Sequence, residues 1–199
     1  IGVQHEFIET HEYRDPDYIK NDPNRCYYCK LHIGKNLLEF AGKKGIKHVI
    51  EGSNFDDLDD HRPGLKAKEE LNLISPLQEA EFTKAEIRDA ARRMSLPVWD
   101  KPSSPCLASR IPYGISIDLK MFAIIEEAEN IIKSFGIDVL RVRHHGEVAR
   151  IEIPERDFSV VLQNKDNIIN KFKKIGYLYV TLDISGFRSG SLNEGLKNG

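Results

Sequence analysis

Two short runs of strict alternation constrain this chain more than any other feature. Leu140 and Val142 alternate with Arg141 and Arg143, and Ile151 and Ile153 alternate with Arg150 and Glu152. A period of two sends the two sets to opposite faces of a strand. A third run repeats the logic, with Leu178, Val180, Leu182 and Ile184 set against Tyr179, Thr181 and Asp183, while Val148 shifts the register slightly. Helical patterns near Leu119 to Phe135 and near Asp157 to Ile175 flank these runs. Together they predict a small α+β unit over 116–199, in the order helix, strand, strand, helix, strand. Its apolar sheet face is expected to carry the helices, and its arginine-bearing face to be accessible.

The preceding stretch, 1–115, reads differently. Asp22-Pro23 suits a helix start, with an N-cap followed by proline at the first helical position, and the helix is expected to run from about Pro23 to Ala41. Ile46-Lys47-His48-Val49-Ile50 is short and β-branched and empties into Glu51-Gly52-Ser53-Asn54, which predicts a strand followed by a loop. A second helix is expected near Gly64 to Leu71. Thr83 with Glu86 forms a capping-box signature, and Ile87, Ala90, Ala91 and Met94 continue at helical spacing until Pro97 stops them. Alternating strands and helices predict an α/β domain with a parallel sheet, whose ligands sit beyond the carboxyl ends of the strands. A loop rich in proline, serine and glycine, from Lys101 to Gly114, closes this region and contains Cys106.

Composition narrows the partners. At 199 residues, with 40% hydrophobic and 30% charged residues, the chain can build one large domain or two small ones. A formal charge of −2 without a long basic run leaves no electrostatic footprint for nucleic acid. No apolar stretch approaches the roughly 20 residues that cross a bilayer, and no signal peptide opens the chain, so a cytoplasmic location is expected. Ile1 is not an initiator methionine, and His5 to Thr10 reads as an extended run with nothing before it to pair with. An N-terminal part of the natural protein is therefore expected upstream.

Three cysteines argue against a disulfide framework and for metal, cluster or nucleophile roles. Cys26 and Cys29 form a C-x-x-C on the first turns of a helix, where the sulfurs are neighbours and the helix N-terminus favours thiolates. Two cysteines near a partly buried helix face would look the same. Cys106 offers a third sulfur, and three thiolates can hold a four-iron cluster with one iron left open, able to carry a sulfide. His32 could instead complete a Cys₃His zinc site. Gly52, Ser53, Asn54 and Asp57 follow a strand and suit close approach to a nucleotide or ion; with Asp59, Asp60 and His61 they equally suit an acidic surface loop. Arg62-Pro63-Gly64 is a generic anion site. Arg141 and Arg143 project together and suit a phosphate or carboxylate, or are two solvated arginines. Glu152 could neutralise them or coordinate a metal. His144-His145 reads as a solvated hairpin turn, and Arg188-Ser189-Gly190-Ser191 offers another cation amid flexible backbone.

Taken together, Asn24-Arg25-Cys26-Tyr27-Tyr28-Cys29-Lys30, Glu51-Gly52-Ser53-Asn54-Phe55-Asp56-Asp57, Arg62-Pro63-Gly64, Trp99-Asp100-Lys101-Pro102, the segment from Pro105 to Gly114 and Gly186-Phe187-Arg188-Ser189-Gly190 resemble the LarE family of ATP-dependent sulfur transferases, in the right order across essentially the whole chain. The resemblance implies a PP-loop ATP pyrophosphatase fold, incomplete here, that uses ATP and Mg2+ to adenylate a substrate carboxylate and then replaces the activated oxygen with sulfur. The family's product is a thiolated nicotinic acid mononucleotide, precursor of the nickel-pincer cofactor of lactate racemase. In one family type a single loop cysteine gives up its own sulfur; in the other three cysteines hold a [4Fe-4S] cluster carrying an extra sulfide. With Cys26, Cys29 and Cys106 all present, this chain resembles the cluster type. The resemblance also implies that Gly52, Ser53 and Asn54 line the nucleotide side, that Arg141, Arg143 and Arg188 meet substrate phosphate and carboxylates, that Ser109 and Arg110 position groups around Cys106, and that the protein forms a homo-oligomer. The serine- and glycine-rich phosphate loop of the PP-loop fold is absent from this chain, so ATP hydrolysis by it alone is in doubt.

Overall fold

The computed structural model describes residues 2–58, 63–102 and 104–196, the side chains of 195 and 196 excepted. Ile1, Asp59, Asp60, His61, Arg62 and Ser103 lie outside the described residues, and with them the arginine of the expected Arg62-Pro63-Gly64 anion site. The chain is α/β and divides into two compact units, Ile1–Lys101 and Pro102–Gly199. The division falls earlier than the 115/116 boundary read from the sequence. Ala108, Arg110 and Ile111 are buried, and the hydrogen bonds of this loop run to residues of the second unit.

The first unit is helical. It carries α1 (Pro16–Ile19), α2 (Arg25–Lys43), α3 (Gly64–Glu70), α4 (Pro76–Glu79) and α5 (Lys84–Arg93). α2 starts two residues later than expected. The Asp22 carboxylate accepts from Asn24 N at 2.7 Å, so the Asp22-Pro23 signal builds a turn ahead of the helix. α2 meets α3 through small residues. Gly34 is buried, and a Cβ there would fall inside the Leu71 side chain, while a Cβ on Gly64 would sit 3.4 Å from the Lys30 stem and 3.5 Å from the Cys26 carbonyl. At α5 the capping box closes, with Thr83 accepting from Glu86 N and the Glu86 carboxylate receiving the Thr83 N–H.

The expected parallel sheet of this unit does not form among its described residues. Ile46 and Ile50 are 52% and 65% exposed, and a single parallel bridge joins Ile50 to Ile74. A strand needs a hydrogen-bonded neighbour along its length. Here the neighbour touches at one point, through Glu51 N to the Ile74 carbonyl (2.8 Å) and Ile74 N to the Val49 carbonyl (3.1 Å).

The second unit runs α6 (Leu119–Lys133), β1 (Arg141–His145), β2 (Val148–Glu152), α7 (Phe158–Gln163), α8 (Lys165–Lys174) and β3 (Tyr179–Leu182). β1 and β2 form an antiparallel hairpin, β3 joins β2 in parallel, and β2 is central. The helix expected over 157–175 is broken at Asn164, whose amide donates to the Val160 carbonyl at 2.8 Å and competes with the helical ladder. Ile132 of α6, Ile168 and Phe172 of α8 and Val142, Ala149 and Ile151 of the sheet are essentially without solvent contact and form one core. Leu178 and Ile184 lie outside β3 and are 55% and 84% exposed, so the third alternation is shorter than it reads.

Candidate functional site

Cys106 has extended backbone, precedes a single 3-10 turn over Leu107–Arg110, and exposes its side chain. What holds this segment is Arg110, itself 3% exposed. Its Nε and Nη2 donate to the two carboxylate oxygens of Glu129 at 2.8 and 3.0 Å. Its Nη1 turns back on the loop and donates to the carbonyls of Pro105 (2.8 Å) and Cys106 (3.2 Å) and to Ser109 Oγ (3.0 Å). Glu129 also accepts from Val142 N of β1 at 3.1 Å, so α6, β1 and the cysteine loop share one buried carboxylate. Two N–H groups on a carboxylate form the strong bidentate pairing of guanidinium. The grip is on the backbone of Cys106, and the sulfur is left outward.

A second guanidinium repeats the pattern. Arg143 Nη1 donates to the Ser109 carbonyl at 2.6 Å, while Nη2 reaches Glu152 at 2.9 Å and Ser191 Oγ at 2.6 Å. Glu152 is fully buried and also receives Arg150 Nη2 at 2.9 Å; Ser191 Oγ lies 3.2 Å from both of its oxygens. This corrects the expectation of an accessible arginine face. Arg143 is 5% exposed because two distant segments, the Cys106 loop and the stretch around Ser191, cover that side of the sheet. Glu152 forms ion pairs with Arg143 and Arg150.

Arg141 is half-buried, with its guanidinium 5.2 Å from the centre of the Phe187 ring and Nη1 on the Leu140 carbonyl at 2.6 Å. Burial, then the neighbouring Arg110 and Arg143, hold its pKa below the ordinary arginine value, with Glu129 and Glu152 opposing. Arg188 forms a fork-to-fork pair with Glu194 at 2.9 and 3.0 Å. One of the two histidines departs from the expected solvated pair. His144 is buried with Nδ1 3.0 Å from the Tyr177 hydroxyl, and burial lowers its pKa; His145 is the exposed member.

In the first unit Cys26 is exposed and Cys29 half-buried on the first turns of α2. The buried Arg25 is held by Asn21 Oδ1 at 2.5 Å and brings Nη2 to 4.0 Å from Cys26 Sγ. His32 does not join these cysteines: among the described residues no three His, Cys, Asp or Glu side chains gather as a metal site within this unit. Successive steps of three residues rotate back around a helix, which puts Cys26 and His32 about 120° apart.

The loop after Ile50 is locked from within. Glu51 accepts from Lys30 Nζ (3.0 Å), Ser53 N (3.1 Å), Ser53 Oγ (2.8 Å) and Ser75 Oγ. Burial alone would raise its pKa, but the hydrogen bonds from Ser53, Ser75 and Lys30 outweigh it and bring the carboxyl down to about 2. Asn54 N donates to Asp57 Oδ2 at 3.0 Å, and Ser53, Asn54 and Asp57 are all buried. Gly52 alone of the four candidate nucleotide contacts is exposed.

Sequence reasoning missed Glu129, Ser191, Arg25 and the Glu51–Lys30 pair. Glu129 did leave a signal, since it sits among Ile125, Ala128 and Ile132 on the apolar stripe of α6, where a carboxylate needs a buried partner.

These features define a class: a two-unit α/β protein that presents a cysteine on a loop gripped by buried arginines. No protein-family model matches the chain. An uncharacterized protein of Synechocystis is 40% identical over 196 residues, covering 98% of this chain and 73% of that protein. The pyridinium-3,5-bisthiocarboxylic acid mononucleotide synthase of Lactiplantibacillus plantarum is 38% identical over 188 residues, covering 94% and 68%. An uncharacterized protein of Methanocaldococcus jannaschii is 35% identical over 171 residues, covering 86% and 67%. The chain belongs to the LarE-type family of this synthase.

Proposed function

We propose that the protein is an ATP-dependent sulfur transferase of nickel-pincer nucleotide biosynthesis, with a PP-loop pyrophosphatase fold, acting on a dicarboxylated nicotinic acid mononucleotide. The observation that carries this reading is the exposed Cys106 sulfur on a backbone fixed by Arg110 and Arg143, in a relative of a thiocarboxylate-forming synthase. In the activation step a substrate carboxylate oxygen attacks the α-phosphorus of Mg2+-bound ATP and pyrophosphate leaves. In the transfer step a sulfur nucleophile attacks the acyl carbon and AMP departs with the oxygen.

Cys26, Cys29 and Cys106 would hold a [4Fe-4S] cluster; Cys26 and Cys106 are exposed thiols, and neither sulfur packs a core, which fits a ligand role. A three-thiolate cluster supplies an open iron for an external sulfide. Arg110 and Ser109 set the position of the Cys106 loop. Arg141 and Arg188 meet substrate anions, and Arg143 with Glu152 supports that face from beneath. Gly52 offers exposed backbone on the nucleotide side, while Ser53, Asn54 and Asp57 hold its loop in shape. A homo-oligomer is the expected assembly.

Iron and acid-labile sulfide per chain after anaerobic reconstitution test this, on the parent and on Cys26→Ala. About four irons in the parent and a large loss in the variant are expected. No iron in either would shift the reading to sacrifice of Cys106, which the outward sulfur favours; one tightly held zinc and no iron uptake would overturn the cluster.

A further inference from the structure

In the second unit arginines meet internal carboxylates: Arg110 with Glu129, Arg143 and Arg150 with Glu152, and Arg188 with Glu194. The first two carboxylates are buried. The last pair differs, with side chains 37% and 55% exposed. Its geometry is nonetheless complete, since Nε and Nη2 of Arg188 each face one oxygen of Glu194 at 2.9 and 3.0 Å. This is the fork an incoming carboxylate or phosphate would use.

The segment that carries the pair is anchored. Ser191 Oγ is bonded into the Arg143–Glu152 pair, and the Tyr113 hydroxyl donates to Asn193 Oδ1 at 3.1 Å. Asn193 N closes a turn on the Gly190 carbonyl at 2.8 Å. Glu194 is thus delivered to Arg188 by a fixed loop. Arg141 lies close in the chain path, over the ring of Phe187, the residue before Arg188.

We propose that Glu194 is a placeholder on Arg188: it keeps the guanidinium fork in binding geometry and leaves when an anionic ligand arrives, so that the site selects ligands with more than one anionic group. This deepens the assignment of Arg188 to substrate binding and rests on it. Exchanging one carboxylate for another on an exposed fork is nearly neutral, because exposed ion pairs contribute little net free energy. A monocarboxylate therefore gains almost nothing by displacing Glu194. A ligand whose second anionic group reaches another cation of this unit, such as Arg141 over the Phe187 ring, gains a contact that Glu194 does not make.

The test is calorimetric titration of pyridine-3,5-dicarboxylate and pyridine-3-carboxylate into the parent chain, Glu194→Gln and Arg188→Gln, at low ionic strength. Glu194→Gln should bind both ligands a few-fold more tightly and by a similar factor, because both are relieved of the same displacement. Arg188→Gln should weaken the dicarboxylate. Unchanged or weaker binding in Glu194→Gln, including no binding at all, overturns the placeholder. If Glu194→Gln is unchanged while Arg188→Gln still weakens the dicarboxylate, only the placeholder fails. If Arg188→Gln leaves dicarboxylate affinity as in the parent, the substrate role of Arg188 falls, and the placeholder with it.

Discussion

Arg110 is the residue on which the candidate site depends most. Replacing it with alanine leaves Glu129 buried without its guanidinium, and breaking a buried pair from one side costs about 3–5 kcal/mol. Urea denaturation of Arg110→Ala should show a loss of that size, and alkylation of Cys106 should speed up as its carbonyl loses a tether. His144 makes a pH prediction. Burial holds it below its ordinary 6.5, so the folded chain keeps it neutral where the unfolded chain has taken up a proton. Its contribution is complete above about pH 6.5 and declines as pH falls below that. The urea midpoint of His144→Gln should therefore fall less steeply than the parent's between neutral and mildly acidic pH. The outward cysteine at 106 was legible because a thiol in a proline- and serine-rich loop has no core to enter. Arg143 was misread for a physical reason: alternation tells which face a side chain takes, and says nothing of the remote segments that later cover it.

Elements were legible where their signals are local. The Thr83 capping box and the period-two runs at 140–143 and 150–153 depend on neighbours a few residues away. The expected strand over 46–50 depends on a partner elsewhere in the chain, and composition alone carries no information about whether one is in reach. At the end of the second unit, Gly186 has φ +70, and a Cβ there would approach the Ile153 carbonyl to 3.3 Å. Gly186→Ala should destabilise this unit by about 1–2 kcal/mol, read from the urea midpoint. Glu51 ties α2 to the loop after Ile50, and with its carboxyl held at about 2 its contribution is present above the ordinary carboxylate value of 4.5 and fades as pH falls toward 2. Glu51→Gln should unfold with a flatter acid limb than the parent over that window, and an equally steep limb would assign the acid loss elsewhere.

At the scale of the whole molecule the two units differ in how they are held. The second has a contiguous apolar core from α6, α8 and the sheet, whereas the buried apolar residues of the first are few, Tyr18, Ala41 and Ala67 among those described. A fragment over 102–199 should therefore retain a cooperative thermal transition by circular dichroism, and a featureless melt would show that its core is insufficient alone. Among the described residues, no helix is long and apolar enough to cross a membrane. The grip of Arg110 and Arg143 on carbonyl oxygens has an evolutionary consequence. Because the loop is held by main chain, any residue at 106 inherits the same tether, and the thiols at 26 and 106 stand outside the packed interior. Selection can thus replace the residue at either position without first repairing the fold.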